Sequence, residues 1–263
     1  MQITSKIRLI LTHPMLRGLT VDDPRIAKVW RQMAYKKPFL RRIYEDWYEI
    51  IAAALPAGSG KVLEIGSGSS FIKFCIPEAI TSEISNSAKV DIILDGHKLP
   101  FKEESLRCLI LVDVLHHLNN PVSFFMEATR CVRSGGAVVM IEPWVTTWSR
   151  WIWEKFHHEP FLPISTQWEY PWANPLLGAN TALPWILFER DRLRFESDFP
   201  QWQIKTIKPM MPFRYLFSGG VSYRNLMPAW SYPLWKKLED KLEFSMKKIG
   251  MFAQIVLVKK NAC

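Results

Sequence analysis

Apolar residues recur at three- and four-residue spacing from Pro38 to Leu55, at Phe39, Leu40, Ile43, Tyr44, Trp47, Ile50, Ile51 and Ala54. That spacing predicts an amphipathic helix with one face turned to a core, and the turn-forming stretch PAGSG, Pro56 to Gly60, ends it. Beyond it the pattern shifts to short apolar runs at Lys61–Ile65, Ala79–Glu83, Val90–Leu94, Arg107–Val112 and Ala137–Ile141, read as strands. Helical stretches separate them. Pro121–Arg133 is the clearest, with proline near its start and Gly135-Gly136 beyond its end. Strands alternating with helices predict a parallel sheet joined by right-handed crossovers. Two more strands, Gln203–Lys208 and Phe252–Val258, flank a helix at about Pro233–Ile249, which brings the expected total to about seven strands.

On that last helix Leu234, Trp235, Leu238, Leu242, Met246 and Ile249 share one face, and Lys236, Lys237, Lys241, Lys247 and Lys248 surround it. The first expectation is that the stripe packs on the sheet; the second is that it lies in a membrane interface. Between Trp144 and Trp185 stand seven of the twelve tryptophans, with Pro160, Pro163, Pro171, Pro175 and Pro184. This stretch is too proline-broken for a long helix and reads as an insertion, about 144–200, on the sheet scaffold. The expected organisation is a helical extension over 1–60 packed on one α/β domain over 61–263.

Composition narrows the class. With 263 residues, 48% hydrophobic and 22% charged, the chain is globular and can bury a sizeable core. Cys75, Cys108, Cys131 and Cys263 are far apart and form no metal clip, which reads as free thiols in a reducing compartment. No apolar run reaches the ~18 to 20 residues of a membrane span. The opening stretch MQITSKIRLILTHP has only a three-residue apolar patch before His13, so neither a signal peptide nor a transmembrane helix is expected. The net charge of +9 is uneven: residues 1–44 carry +8, 45–202 carry −7 and 203–263 carry +8. If the two basic blocks meet in space they form a positive face suited to phosphate-bearing partners.

Candidate chemistry starts at KVLEIGSGSS, Lys61 to Ser70, where a strand ends on Glu64 and turns through Gly66, Ser67 and Gly68. Glu83 follows Glu64 by nineteen residues at the end of the second strand, where a carboxylate can accept bonds from a ribose diol. Asp95 closes the third strand in LDGHKLPF, and Asp113 closes the fourth in LILVDVLHHL. All four acids fall at the carboxyl edge, where open α/β sheets bind ligands. A dinucleotide fingerprint would place Gly or Ala where Phe71 stands, and the chain ends in strand, helix, strand instead of a second mononucleotide-binding half.

From Lys61 to Pro143, through VLEIGSGSS, TSEIS, LDGHKLPF, LILVDVLHHL and RCVRSGGAVVMIEP, the sequence resembles the class I S-adenosylmethionine-dependent methyltransferases, in particular the type 11 methyltransferase-domain group. The resemblance implies a Rossmann-like seven-stranded α/β sheet, mostly parallel with an antiparallel last strand, and residues 61–263 as the methyltransferase domain. It implies S-adenosyl-L-methionine as cofactor. Glu64, Gly66, Ser67 and Gly68 would hold its amino acid end, Glu83 its ribose, and Asp95 with Gly96 its adenine, with Asp113, Val114 and Leu115 near it after strand four. The flanking phrases KPFLRRIYEDWY and IEPWVTTWSRW resemble bacterial members that accompany genes for surface glycans or lipids. Ser70, where the family often has another small residue, and Pro77 in the following helix are departures.

A sulfonium methyl has a good leaving group, so the protein mainly aligns the acceptor, and a general base is needed only where the acceptor loses a proton. His116, His117 and Glu142 are the candidate bases, by their place at the active edge. The pair His157-His158 lacks partners at metal-ligand spacing and reads as structural, and no metal is expected. The expected function is transfer of a methyl group to a small-molecule, lipid or glycan acceptor by a cytoplasmic enzyme, with peripheral contact at the inner face of a membrane as a further expectation. The alternative is a non-catalytic methyltransferase-like protein that docks on a membrane or partner. Methylation of nucleic acid is disfavoured, because the chain has no appended RNA-binding module and no Asn/Asp-Pro-Pro-Tyr/Phe motif.

Overall fold

The computed structural model describes residues 10–19, 26–68, 71–84, 90–157, 159–170 and 179–261. Helices α1 (Ile26–Lys36) and α2 (Pro38–Ala53) precede a sheet of β1 (Lys61–Ile65), β2 (Ile80–Glu83), β3 (Ile92–Ile93), β4 (Leu106–Val112), β5 (Val132–Pro143), β6 (Trp202–Met210) and β7 (Phe252–Lys259). The strand order is β3-β2-β1-β4-β5-β7-β6. The chain travels outward through β2 and β3 and returns to place β4 on the other side of β1, with all these pairings parallel. That reversal opens a crevice at the carboxyl ends of β1 and β4. β7 pairs antiparallel with both β5 and β6, so it alone runs against the others.

Both faces of the sheet are covered, which is why β1, β4 and β5 read as nearly unbroken apolar runs. On one face, Phe39, Leu40, Ile43, Trp47 and Ile51 of α2 pack with Val62, Cys108, Ile110, Val139 and Ile141. On the other, Phe124, Phe125 and Ala128 of α3 (Pro121–Cys131) join Ile186, Leu187 and Phe195 against Leu63, Ile65, Leu109, Leu111, Val138 and Met140. The alternation along β1 sends Val62 and Leu63 to opposite layers, as a two-residue period requires.

Three expectations need adjustment. β3 shrinks to two residues, and β5 begins at Val132, directly after α3. At Gly136 an added Cβ would lie 2.8 Å from the Arg107 carbonyl oxygen, so the glycine lets β5 meet the start of β4 closely. The insertion opens with α4 (Thr147–Phe156), started by reciprocal Thr146–Ser149 capping bonds and finished before its first proline. Pro171, Pro175 and Trp172 lie outside the described residues.

The helix expected at Pro233–Ile249 is broken: α5 (Arg192–Asp198) and α6 (Arg214–Ser218) are followed by α7 (Tyr232–Lys241), a 3-10 turn and α8 (Met246–Ile249). Tyr232, Glu239 and Met246 are buried and Trp235 packs half-buried against Phe217, so only part of the apolar stripe turns inward. Glu239 is buried because it accepts from the Phe213 and Arg214 amides and pairs with the Arg214 guanidinium, which also reaches Asp46 of α2. Leu234 and Leu238 consequently face solvent, at 60% and 41% exposure.

Candidate active site

The turn after β1 is built by close approach. Gly66 has φ +67, and a Cβ there would lie 2.7 Å from Val114 Cγ2, so only glycine lets this turn press on the loop after β4. Ser67 is buried and its amide donates to Ser82 O at 2.8 Å, while Ser67 Oγ accepts from the Ser82 amide at 3.0 Å. Gly68, at φ +47, has nothing closer to an added Cβ than Gly66 O at 4.0 Å, so its Cα faces open space. Glu83 Oε1 accepts the Gly68 amide at 2.7 Å. Thus Glu83 already braces the turn, and its second oxygen remains beside it.

Glu64 is almost wholly buried. Oε1 accepts the Tyr48 hydroxyl at 2.6 Å, while Oε2, also buried, has no hydrogen-bond partner. Burial pushes its carboxyl up to about 7, against the opposing bonds from Tyr48 and Ser67. An unpaired buried oxygen is costly, and it lies at the start of the glycine turn.

Asp95 stands next to Glu83, because the Leu94 amide donates to Glu83 O at 3.0 Å. Its Oδ1 takes the His97 amide at 2.9 Å and meets His97 Nδ1 at 2.6 Å, so this carboxylate shapes its own turn. Gly96 is buried, with an added Cβ meeting Ile65 Cγ2 at 3.4 Å.

Across the crevice, Asp113 ends β4 with φ +61, a left-handed conformation rare outside glycine, and its amide donates to Ile141 O at 2.8 Å. Burial raises its carboxyl above the ordinary range, with nearby Glu142 and Glu159 adding to the rise and His116 opposing it. Glu142 is fully buried. Its Oε1 accepts the amides of Val114 and Leu115 at 2.9 and 2.7 Å, and its Oε2 meets His116 Nδ1 at 2.9 Å. Glu142 therefore fixes the whole turn after β4. Desolvation lowers His116, but bonds to Glu142 and Glu159 outweigh it and hold the imidazole well above its usual value. Glu159 shows the reverse, held well below the carboxylate range by His116 and His157 despite burial.

The sequence-derived residues thus form two adjoining groups: Glu64, Gly66, Ser67, Gly68, Glu83, Asp95 and Gly96 on the β1–β3 side, and Asp113, Val114, Leu115, His116, His117 and Glu142 on the β4–β5 side. Ser70 and His158 lie outside the described residues. Sequence reasoning missed Tyr48, which holds Glu64 from α2, and Glu159. His157, read as structural, has its Nε2 3.0 Å from Glu159 Oε2. The half-buried Tyr44 and Tyr215 phenols are raised first by desolvation and then by Asp113.

The strand order with one reversed strand, and a glycine turn at the reversal point, define a Rossmann-like class I methyltransferase fold. Residues 57–140 match the family described as "Methyltransferase domain". A SAM-dependent methyltransferase from Archaeoglobus fulgidus superposes with a TM-score of 0.51 at 13% identity, over 84% of this chain and 94% of that one. A chain from the complex containing the Haloferax volcanii Trm112 methyltransferase activator gives 0.50 at 12% identity, over 89% and 98%. At such identities these show the fold. An uncharacterized protein of Methanocaldococcus jannaschii is 29% identical over 104 residues, 37% of this chain, and the chain spans about half (51%) of that relative's length.

The raised Glu64 carboxyl has a consequence for stability. Between pH 4.5, its ordinary value, and about 7, the native state keeps a proton that the unfolded chain has released, so stability falls as pH rises through that window. Glu64→Gln removes this cost. In urea unfolding, the variant should gain on the wild type by up to roughly 3 kcal/mol between pH 4.5 and 8. A difference independent of pH would place the Glu64 carboxyl in the ordinary range.

Proposed function

We propose that the protein transfers a methyl group from S-adenosyl-L-methionine to an acceptor held at the tips of β4 and β5. The observation that carries this reading is the buried Glu64 Oε2 with no partner, at the foot of a turn whose Gly68 Cα faces open space. A cationic amino group fits the first and a closely approaching ligand backbone fits the second. The cofactor supplies a methyl carbon on a sulfonium. Glu64 receives the amino acid end, the free oxygen of Glu83 the ribose hydroxyls, and Asp95 with Gly96 the adenine, with Asp113, Val114 and Leu115 closing the crevice.

When bound, the sulfonium would supply an electrophilic methyl whose carbon–sulfur electron pair leaves with sulfur, so the chain's part is to place the acceptor's lone pair in line with it. Alignment and water exclusion supply most of the rate. For an acceptor that must lose a proton, His116, His117 and Glu159 are the polar groups that meet it. Glu142, whose oxygens are spent on Val114, Leu115 and His116, acts as a positioning residue.

The acceptor we favour is lipid-linked, at the inner face of a membrane in a bacterial-type cytoplasm. Leu226, Trp230, Leu234, Leu238 and Phe244 are exposed, at 46, 73, 60, 41 and 85%, beside exposed Lys237, Lys241, Lys247 and Lys248. Both basic blocks contribute to a pocket lined by His13, Lys36, Lys37 and Arg224, close in sequence to Leu226. Amphipathic, cationic surface of this kind suits an anionic bilayer. Among the described residues, no helix is long and apolar enough to cross a membrane.

Two measurements check these readings. In calorimetric titration with S-adenosylmethionine, Gly68→Val should abolish binding in a folded protein, and Glu83→Ala should weaken it by roughly 10- to 150-fold, the worth of charge-assisted bonds. Wild-type affinity in both variants would remove the cofactor from this turn, whereas tight binding with no methyl transfer to any lipid, glycan or metabolite extract would favour a docking protein. In co-sedimentation, binding to vesicles should rise with anionic lipid, fall with salt and drop in Trp230→Ser/Leu234→Ser. No binding at low salt would leave a soluble acceptor.

A further inference from the structure

Three imidazole nitrogens converge on one carboxylate beside the acceptor side of the crevice. His116 and His117 come from the turn after β4, and His157 and Glu159 from the segment after α4. His116 Nε2 is 3.4 Å from Glu159 Oε2, His117 Nε2 is 3.7 Å from Glu159 Oε1, and His157 Nε2 is 3.0 Å from Glu159 Oε2. Donor atoms of His116, His117 and Glu159 all lie within 4.8 Å of one another.

The first two separations are long for hydrogen bonds, which cluster at about 2.7–3.2 Å. They are close to the ~3.4 Å between neighbouring ligand atoms that each sit about 2.1 Å from a tetrahedral zinc ion. The support behind the cluster has the matching form. With Nδ1–H of His116 donating to Glu142, whose other oxygen is fixed by two backbone amides, Nε2 faces Glu159, and a cation bound there takes the place of the proton that the two carboxylates otherwise hold on the ring. A carboxylate behind an imidazole in this way orients a metal ligand and raises its basicity. His157, packed edge-on against Trp153, donates to Glu159 and steadies it.

We propose that His116, His117 and Glu159 bind one divalent transition cation of the zinc type. Glu142 and His157 are its positioning residues, and Asp113 Oδ1, 4.0 Å from His116 Nε2, stands next to it. Three protein ligands leave a coordination position for an acceptor oxygen, as in catalytic sites of this kind. The side chains of His117 and Glu159 are partly exposed, at 31% and 19%, against 1% for His116, so that position opens toward solvent. Bound there, the cation would lower the pKa of an acceptor hydroxyl so that its proton leaves to solvent water at the open side of the site, and the two histidines would serve as ligands in place of bases. The part played in methyl transfer rests on the function proposed above; the existence of the site does not.

The test uses untagged, chelator-stripped full-length protein titrated with Co(II), without S-adenosylmethionine, and read by ligand-field absorption and by calorimetry. One equivalent should bind and give the intense visible band of low coordination. His117→Ala and Glu159→Gln should each lose the band and at least about 100-fold in affinity, and Glu142→Gln should lose roughly 10- to 100-fold. His97→Ala, outside the cluster, should match the wild type. S-adenosylmethionine affinity, measured on each variant, reports folding separately. Absence of Co(II) and Zn(II) binding in wild-type protein that binds S-adenosylmethionine overturns the metal site and leaves the cofactor site standing. Undiminished binding in both His117→Ala and Glu159→Gln overturns it equally.

Discussion

At the end of β1 a carboxylate is held in the interior with only one oxygen satisfied, and much of the surrounding structure serves to keep it there. Tyr48 reaches from α2 to bind Glu64 Oε1, which ties the N-terminal helix to the tip of the central strand. Ser82 Oγ donates to the Glu64 carbonyl, and Ser67 binds β2, so the turn after Glu64 cannot swing away from the second strand. Gly66 then admits Val114 against its Cα and brings the two sides of the crevice together. The desolvation of Glu64 is a standing cost, offset by the packing of α2 across the sheet, and it leaves one strong acceptor aimed at the crevice.

Opposite it, the β4–β5 side solves a different problem with the same chemistry. Glu142 is just as buried, yet all of its capacity goes to Val114, Leu115 and His116. One buried acid thus keeps an oxygen without a partner, and the other organises the loop that faces it. The positive φ of Asp113 marks where the chain leaves β4 to make that loop. Because Val114 touches Gly66 and Leu115 is fixed by Glu142, the two sides are coupled through adjacent residues.

The sheet was legible because its strands are local apolar runs and because four acids fall at their carboxyl ends. What escaped the sequence depends on distant partners. Tyr48 stands outside the apolar positions that mark the helix face, and nothing local says that its hydroxyl meets residue 64. Glu159 and His157 acquire their role only when the insertion folds back on His116, forty-odd residues earlier. The last helix was legible at Trp235 and Met246, which pack inward, but not at Leu234 and Leu238, because hydrophobic periodicity does not weigh the pairing of Glu239 with Arg214 that turns this polar residue inward. At Gly68 the neighbours leave the space on its Cα face empty, which is the room that a closely approaching ligand would need.

The central claim is that the buried Glu64 carboxyl, protonated near pH 6, ionises when it captures the cofactor's amino group. Calorimetric titration of S-adenosylmethionine at pH 6 in two buffers of different ionisation enthalpy measures this directly. The account predicts release of roughly one proton per cofactor bound, lost in Glu64→Gln, since a carboxyl at about 7 is mostly protonated there. Tight binding with no proton released by the wild-type protein would contradict it.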